Sequence, residues 1–317
     1  MKINFYGLGL ISFFSIVASL SSISSCKDAS AATENYKTES STQSSSSKRI
    51  PSQQAKDYWY DGTAEISSYT LSQARYGELR EGTAVLIYVT EPFSKRNNTK
   101  ADIHRNDNVP VLKLNKTKKF LTGIYPYTMM NSTFFPFEGE ITSLKIASSM
   151  QEWCGISHLE MKNEGKLNFT LNSYFEGESF ENKKIKNDIL EDDLWSLLRL
   201  NPESLPVGSM NLIPSIFYSR LSHQEIKAYK ANITLTKENE GINLYKIEYP
   251  EIERNIAIRF ENAFPHTILG WEENYYSGYG TNRKLLSTKA ARKNTIKSDY
   301  WNKNHNADAY LRDELGL

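Results

Sequence analysis

Leu167-Asn168-Phe169-Thr170-Leu171-Asn172-Ser173 alternates apolar and polar side chains, with Leu167, Phe169, Leu171 and Ser173 on one side and Asn168, Thr170 and Asn172 on the other. A period of two puts alternate side chains on opposite faces of a strand, so this stretch reads as a half-buried β-strand. The same period recurs outward along the chain. Val85, Ile87 and Val89 share one face of a strand that Pro92 is expected to end. Ile233 and Leu235 lead through Glu240-Gly241 to Ile242, Leu244 and Lys246, a hairpin pattern, and Ile256, Ile258 and Phe260 follow in the next strand. The fold class is therefore mainly β: an antiparallel, barrel-like or strongly curved sheet. The 19 Tyr, 14 Phe and 5 Trp suit its half-buried surfaces.

One segment departs from that period. Asp188 to Leu200 places Leu190, Leu194, Leu197 and Leu198 at helical spacing and stops at Asn201-Pro202. It predicts one amphipathic helix against or inside the sheet, with Asp188 as its cap and Glu191, Asp192 and Asp193 favouring its positive N-terminal end. A short C-terminal helix is predicted near Ala307 to Leu315, docking through Tyr310, Leu311 and Leu315.

The N-terminus carries an address. Lys2 and the apolar or small run Phe5 to Leu20 form a signal-peptide pattern. It continues into Ile23-Ser24-Ser25-Cys26, an apolar residue and two small ones before cysteine, which resembles the lipobox of bacterial lipoproteins. Residues 1–25 are then a lipoprotein signal peptide, and Cys26 is the acylated, palmitate-bearing residue that holds the chain to a lipid bilayer. The competing reading is a transmembrane helix over Ile3 to Ile23. Serines crowd its second half, and no basic stop-transfer residues follow at once. Residues 26–56, including Ser44-Ser45-Ser46-Ser47, are too poor in apolar side chains to offset their ordering entropy. They read as a disordered tether with a span on the order of 30 Å. The resemblance to bacterial lipoproteins implies that Lys27, rather than aspartate, after the cysteine favours the outer membrane, facing the periplasm. Lys27-Asp28 also partly resembles the short charged signal for display at the cell surface.

Residues 57–317 are about 260 residues, enough for one large β-rich domain. The 38 basic residues include Lys2, the only charge before Cys26, which leaves 37 basic against 37 acidic side chains. That balance argues against non-specific nucleic-acid binding. With Cys26 acylated, Cys154 is the one remaining cysteine, and no intrachain disulfide can form.

Catalytic signatures are missing: the chain holds no P-loop, no Gly-x-Ser-x-Gly elbow, no His-Glu-x-x-His and no CxxC. Three constellations remain as possible ligand sites. Trp153, Cys154 and His158 place a cysteine four residues before a histidine, roughly 13 Å along a strand, so a nucleophile pair would need a turn at Gly155. A buried structural cysteine beside a core tryptophan is the plainer expectation. Asp102, His104 and Asp107 offer metal-ligand types in a polar stretch, where a solvated loop is the simpler account and no metal site is assigned. Gly270 to Gly280 gathers Trp271, Glu272, Tyr275 and Tyr276, which would stack on a sugar or flat ligand if they lined one cleft. Glu272 and Glu273 are adjacent, so a strand would split them as a catalytic pair.

Tyr58-Trp59-Tyr60-Asp61-Gly62, Arg75-Tyr76-Gly77-Glu78-Leu79-Arg80, Gln151-Glu152-Trp153-Cys154-Gly155, Ile268-Leu269-Gly270-Trp271-Glu272-Glu273 and Ser298-Asp299-Tyr300-Trp301 together resemble an uncharacterised family of Gram-negative envelope lipoproteins. Its members often carry the label septum formation inhibitor Maf. Maf proteins are cytoplasmic nucleotide pyrophosphatases with a Ser-x-Ser-x-Arg-Arg type motif; the chain has none, so no catalytic residue is carried over and no cofactor is implied. The expected function is binding or assembly in the outer envelope, with an envelope protein or a small amphiphilic or glycan ligand as partner. The alternative is an envelope enzyme acting on glycans or nucleotides.

Overall fold

A computed structural model describes residues 49–317. The expected signal peptide, Cys26 and most of the expected tether fall outside those residues. The first half of the chain runs α1 (Gln53–Trp59), β1 (Ala64–Arg75), β2 (Glu78–Ser94), a two-residue β3 (Thr99–Lys100), β4 (Asn108–Thr122), β5 (Tyr125–Pro136), β6 (Lys145–Glu152), β7 (Gly155–Asn163), β8 (Leu167–Ser173) and β9 (Phe180–Ile185). The second runs β10 (Ile189–Leu190), α2 (Glu191–Leu200), β11 (Gly208–Ile213), α3 (Ile216–Leu221), β12 (Tyr229–Asn239), β13 (Ile242–Tyr249), β14 (Arg254–Glu261), β15 (Ile268–Ser277), β16 (Lys284–Ser298) and α4 (Tyr310–Leu315).

All sixteen strands belong to one sheet in the order β10-β11-β12-β13-β14-β15-β16-β1-β2-β4-β5-β6-β7-β8-β9, with β3 beside β2. Every pairing is antiparallel except β10 with β11. The first long strand and the last meet in the middle, Ala64 opposite Ser298, so the two halves of the chain are stitched into one unit. The sheet is open, but it is strongly curved. Leu159, Phe169 and Leu171 from one end share an apolar cluster with Leu190, Ile213 and Ile216 from the other. Leu167, Phe169 and Leu171 are buried as their alternation requires.

Helix α2 lies in the concavity. Its ten residues are all buried, and Trp195 meets the Trp271 ring edge-on at 5.2 Å, with Tyr69 4.9 Å beyond Trp271. The predicted helix therefore plugs the sheet, but two details differ. It starts at Glu191 with Leu190 as an N-cap that makes no side-chain bond, so Asp188 caps nothing. Its three acids are buried rather than left at a solvated end: Glu191 and Asp192 are ion-paired, and Asp193 accepts from Ser143.

Two boundaries also move. Strand β2 runs through Pro92, which lies opposite Pro110; proline's fixed φ suits extended backbone, and the Pro92 carbonyl still accepts from Ala101 N–H at 2.9 Å. The folded unit begins before residue 57. Ser52 caps α1 by accepting from Ala55 N–H at 3.1 Å, and Ala55 and Trp59 are buried in the main core. The face formed by Val85, Ile87 and Val89 is real, but it is the convex face; Ala84, Leu86 and Tyr88 are what β2 gives to the concave core. No helix among the described residues is long and apolar enough to cross a membrane.

Candidate functional site

Three places gather side chains that are able to bind something, and the space at each decides between them. The first is the concave interior. Arg254 lies between two carboxylates, donating to Glu191 at 2.5 and 2.7 Å and to Glu273 at 2.8 Å, while the Tyr249 hydroxyl donates to Glu191 at 2.7 Å. Lys116 donates to Asp192 at 3.0 Å, and Asp192 also accepts from the Ser215 hydroxyl and Ile216 N–H. Burial alone would push the Asp192 carboxyl up; Lys116 and these hydrogen bonds outweigh it and hold the group below its ordinary range. Lys118 donates to Gln73 at 2.9 Å and has no carboxylate that close; burial pulls its ammonium down to about 8. The cavity among these groups measures only about 10 Å³. That is the room of one water, so the ionic interior fixes α2 in place and admits no substrate.

The second place is a recess of about 680 Å³ at the edge where α2 ends, lined by Leu200, Asn201, Glu203, Leu235, Asn243, Asn262 and His266. Its lining is mixed, with no cluster of side chains of one chemistry.

The third is a groove of about 410 Å³ on the convex face. Its floor is Ile66 of β1, Val85 and Ile87 of β2, Thr117 and Lys119 of β4 and Ile296 of β16, and its roof is the C-terminal segment with Leu311, Arg312, Leu315 and Leu317. The alternation that buries Leu86 and Tyr88 inside puts Val85 and Ile87 outside, so an apolar floor here follows from apolar residues at both parities of β2. The roof is tied down at its end. Gly316 adopts φ 65° and stops α4, with its N–H donating to the Asp313 carbonyl and that of Leu317 to the Arg312 carbonyl. Ser68 and Lys293 donate to the carbonyls of Leu315 and Gly316, and Asn294 donates to that of Glu314 at 2.7 Å. Among the described residues, the Lys119 and Arg312 side chains make no ion pair or hydrogen bond. Two free cations beside an apolar trough fit an anionic head on an apolar tail.

The residues singled out in the sequence fall elsewhere. Trp153 is 68% exposed, and Cys154 is exposed, in the tight turn between β6 and β7. The expected core tryptophan and buried cysteine are thus both corrected: the turn ends the alternation that would have pointed them inward. The Glu152 carboxylate accepts from Cys154 N–H at 2.7 Å, and its hydrogen bond to the thiol raises that group above its ordinary value, which disfavours a thiolate nucleophile. His158 lies in β7 on the exposed face. Trp271 and Tyr275 are buried on the concave face, and Glu272 and Tyr276 project from the convex one. The expected aromatic cleft is therefore divided by the sheet itself. Asp102, His104 and Asp107 form a loop, and no group of three or more potential ligands that could hold a metal occurs among the described residues.

Sequence reading missed Lys119 and Arg312, because nothing in the chain announces that residues 119 and 312 meet across one groove. It also missed the inward pair Lys116 and Lys118, although their spacing with Leu112, Leu114 and Phe120 on one face of β4 was a signal. Comparison with known proteins adds no relative: no family model matches the chain, and no curated protein or solved structure is significantly similar to it. What the fold and site define is a class, an open, curved β-sheet wound round a buried helix with an apolar groove on its outer face.

Proposed function

We propose that the protein is a lipid-anchored binding protein of the outer envelope that holds an anionic, apolar-tailed amphiphile in the convex groove. The observation that carries this reading is the groove itself: an apolar floor and roof beside Lys119 and Arg312, which are unpaired among the described residues. Cys26 as the acylated residue, Lys27 after it and a Ser-rich tether support an outer-membrane position facing the periplasm. The resemblance to envelope lipoproteins supports the same setting. Trp271 and Tyr276 lie on opposite faces of β15, so they do not support a shared glycan site.

The test is binding of a fluorescent long-chain fatty acid to delipidated protein. Ile87→Trp fills the groove and should abolish binding. Lys119→Glu with Arg312→Glu should weaken it by about tenfold or more, the equivalent of one lost charge-assisted hydrogen bond. Equal affinity in wild type and both variants would refute the assignment.

A further inference from the structure

The structure carries a second surface, independent of the groove. In an antiparallel sheet alternate hairpin turns emerge at the same edge. Six turns do so here: β1 to β2, β4 to β5, β6 to β7, β8 to β9, β13 to β14 and β15 to β16. This edge concentrates large apolar side chains left in water. Ile124 is 82% exposed, Tyr174 75%, Trp153 68% and Tyr279 61%, and Leu121 and Ile156 are exposed beside them.

The tips form one rim rather than scattered points. The Tyr125 and Trp153 rings lie 6.3 Å apart. Tyr174 packs against Gly155, where an added Cβ would come within 2.8 Å of its ring. Gly77 and Gly278, both with positive φ, bring their backbones against the Asn282 carbonyl and join the β1–β2 tip to the β15–β16 tip.

We infer that this rim docks on the headgroup region of a phospholipid bilayer. Tryptophan, tyrosine and isoleucine at protruding turns, with charged Glu78, Arg80 and Glu152 just behind them, is the arrangement of an interfacial anchor. Turn backbones still need water for their unpaired N–H and C=O groups, so the rim reaches headgroup depth and stops there. Acids and bases both stand behind the tips, so the contact depends on apolar insertion and not on anionic lipid. The bilayer is within reach even though α1 enters at the opposite edge. The 23 peptide steps from Cys26 to Arg49, where the backbone pairs with Gly139, can extend to about 80 Å. The 17 residues of β2 span only about 56 Å.

The test uses the full mature chain returned to phosphatidylcholine vesicles whose acyl chains carry bromine, which quenches nearby tryptophan. Wild type should lose part of its emission to the brominated lipid. Trp153→Phe should remove that quenching, and Trp301→Phe, at the other edge, should leave it. Ile124→Asp should lower it several-fold without moving the unfolding midpoint. Quenching that survives Trp153→Phe, or that disappears with Trp301→Phe, would overturn the inference. So would a lipid-free dimer dispersed by Ile124→Asp, which would make the rim a contact between copies. Loss of fatty-acid binding in the groove variants leaves all of these readouts unchanged, so the two ideas fail separately.

Discussion

Among single residues, Asp193 responds most sharply to pH. It is fully buried in α2, and its only hydrogen bonds come from the Ser143 N–H and hydroxyl. Burial pushes its carboxyl up to about 7 against those two bonds, and the charge of Asp192 adds to the rise. A folded-state value above the unfolded one gives stability that is complete below about pH 4 and lost as the pH rises to about 7. Asp193→Asn keeps an acceptor for the Ser143 N–H and has no proton to lose. Its advantage over wild type should therefore be small at pH 4, grow to pH 7 and level off there, on the order of 4 kcal/mol. Urea unfolding across that range measures it, and a pH-independent difference would refute the assignment. Asp193 was legible only as an acid in the first turn of a helix. Its burial comes from the β5–β6 connection, which no local pattern reveals.

At the scale of elements, α2 is held by ion pairs as much as by its leucines. Arg254 of β14 is the hinge of that arrangement, since it alone neutralises Glu191 of α2 and Glu273 of β15 at hydrogen-bonding distance. Arg254→Met should cost about 3–5 kcal/mol, because it leaves two buried carboxylates without their cation. Glu272→Gln, one residue along β15 on the convex face, should change stability by less than about 0.5 kcal/mol. Denaturant midpoints of the two variants compare them, and equal effects would contradict the alternation. The strands, the central helix and the C-terminal helix were readable because period two and period 3.6 are local properties. Turns were where reading failed: Trp153-Cys154-Gly155 looked like strand core, and a turn made it surface.

For the whole molecule, the open sheet leaves two edges that must not recruit other chains. Strand β9 meets the problem with Glu181, Lys183 and Lys184 on an exposed edge, and β10 with a length of two residues. The proposed export and anchoring concern the whole chain as well. Cys26→Ala should remove incorporation of a labelled lipid precursor and release the protein from the membrane fraction, because the thioether needs that sulfur. Label retained by the variant would end the lipoprotein reading.

By itself the sequence determined the β class, a helix within 188–200, the hairpin through Glu240-Gly241 and the single free thiol of the folded unit, because periodicity, turn residues and cysteine number act within short stretches or over the whole chain. The tertiary structure alone decided which face of each strand became the interior. In β2 both parities are apolar, and the pairing of β1 with β16 together with the docked C-terminal segment made Val85 and Ile87 the floor of a groove. It decided likewise that Lys116 meets Asp192, and Arg254 meets Glu191 and Glu273, so that residues far apart in the chain neutralise one another in the core, while among the described residues Lys119 and Arg312 pair with nothing.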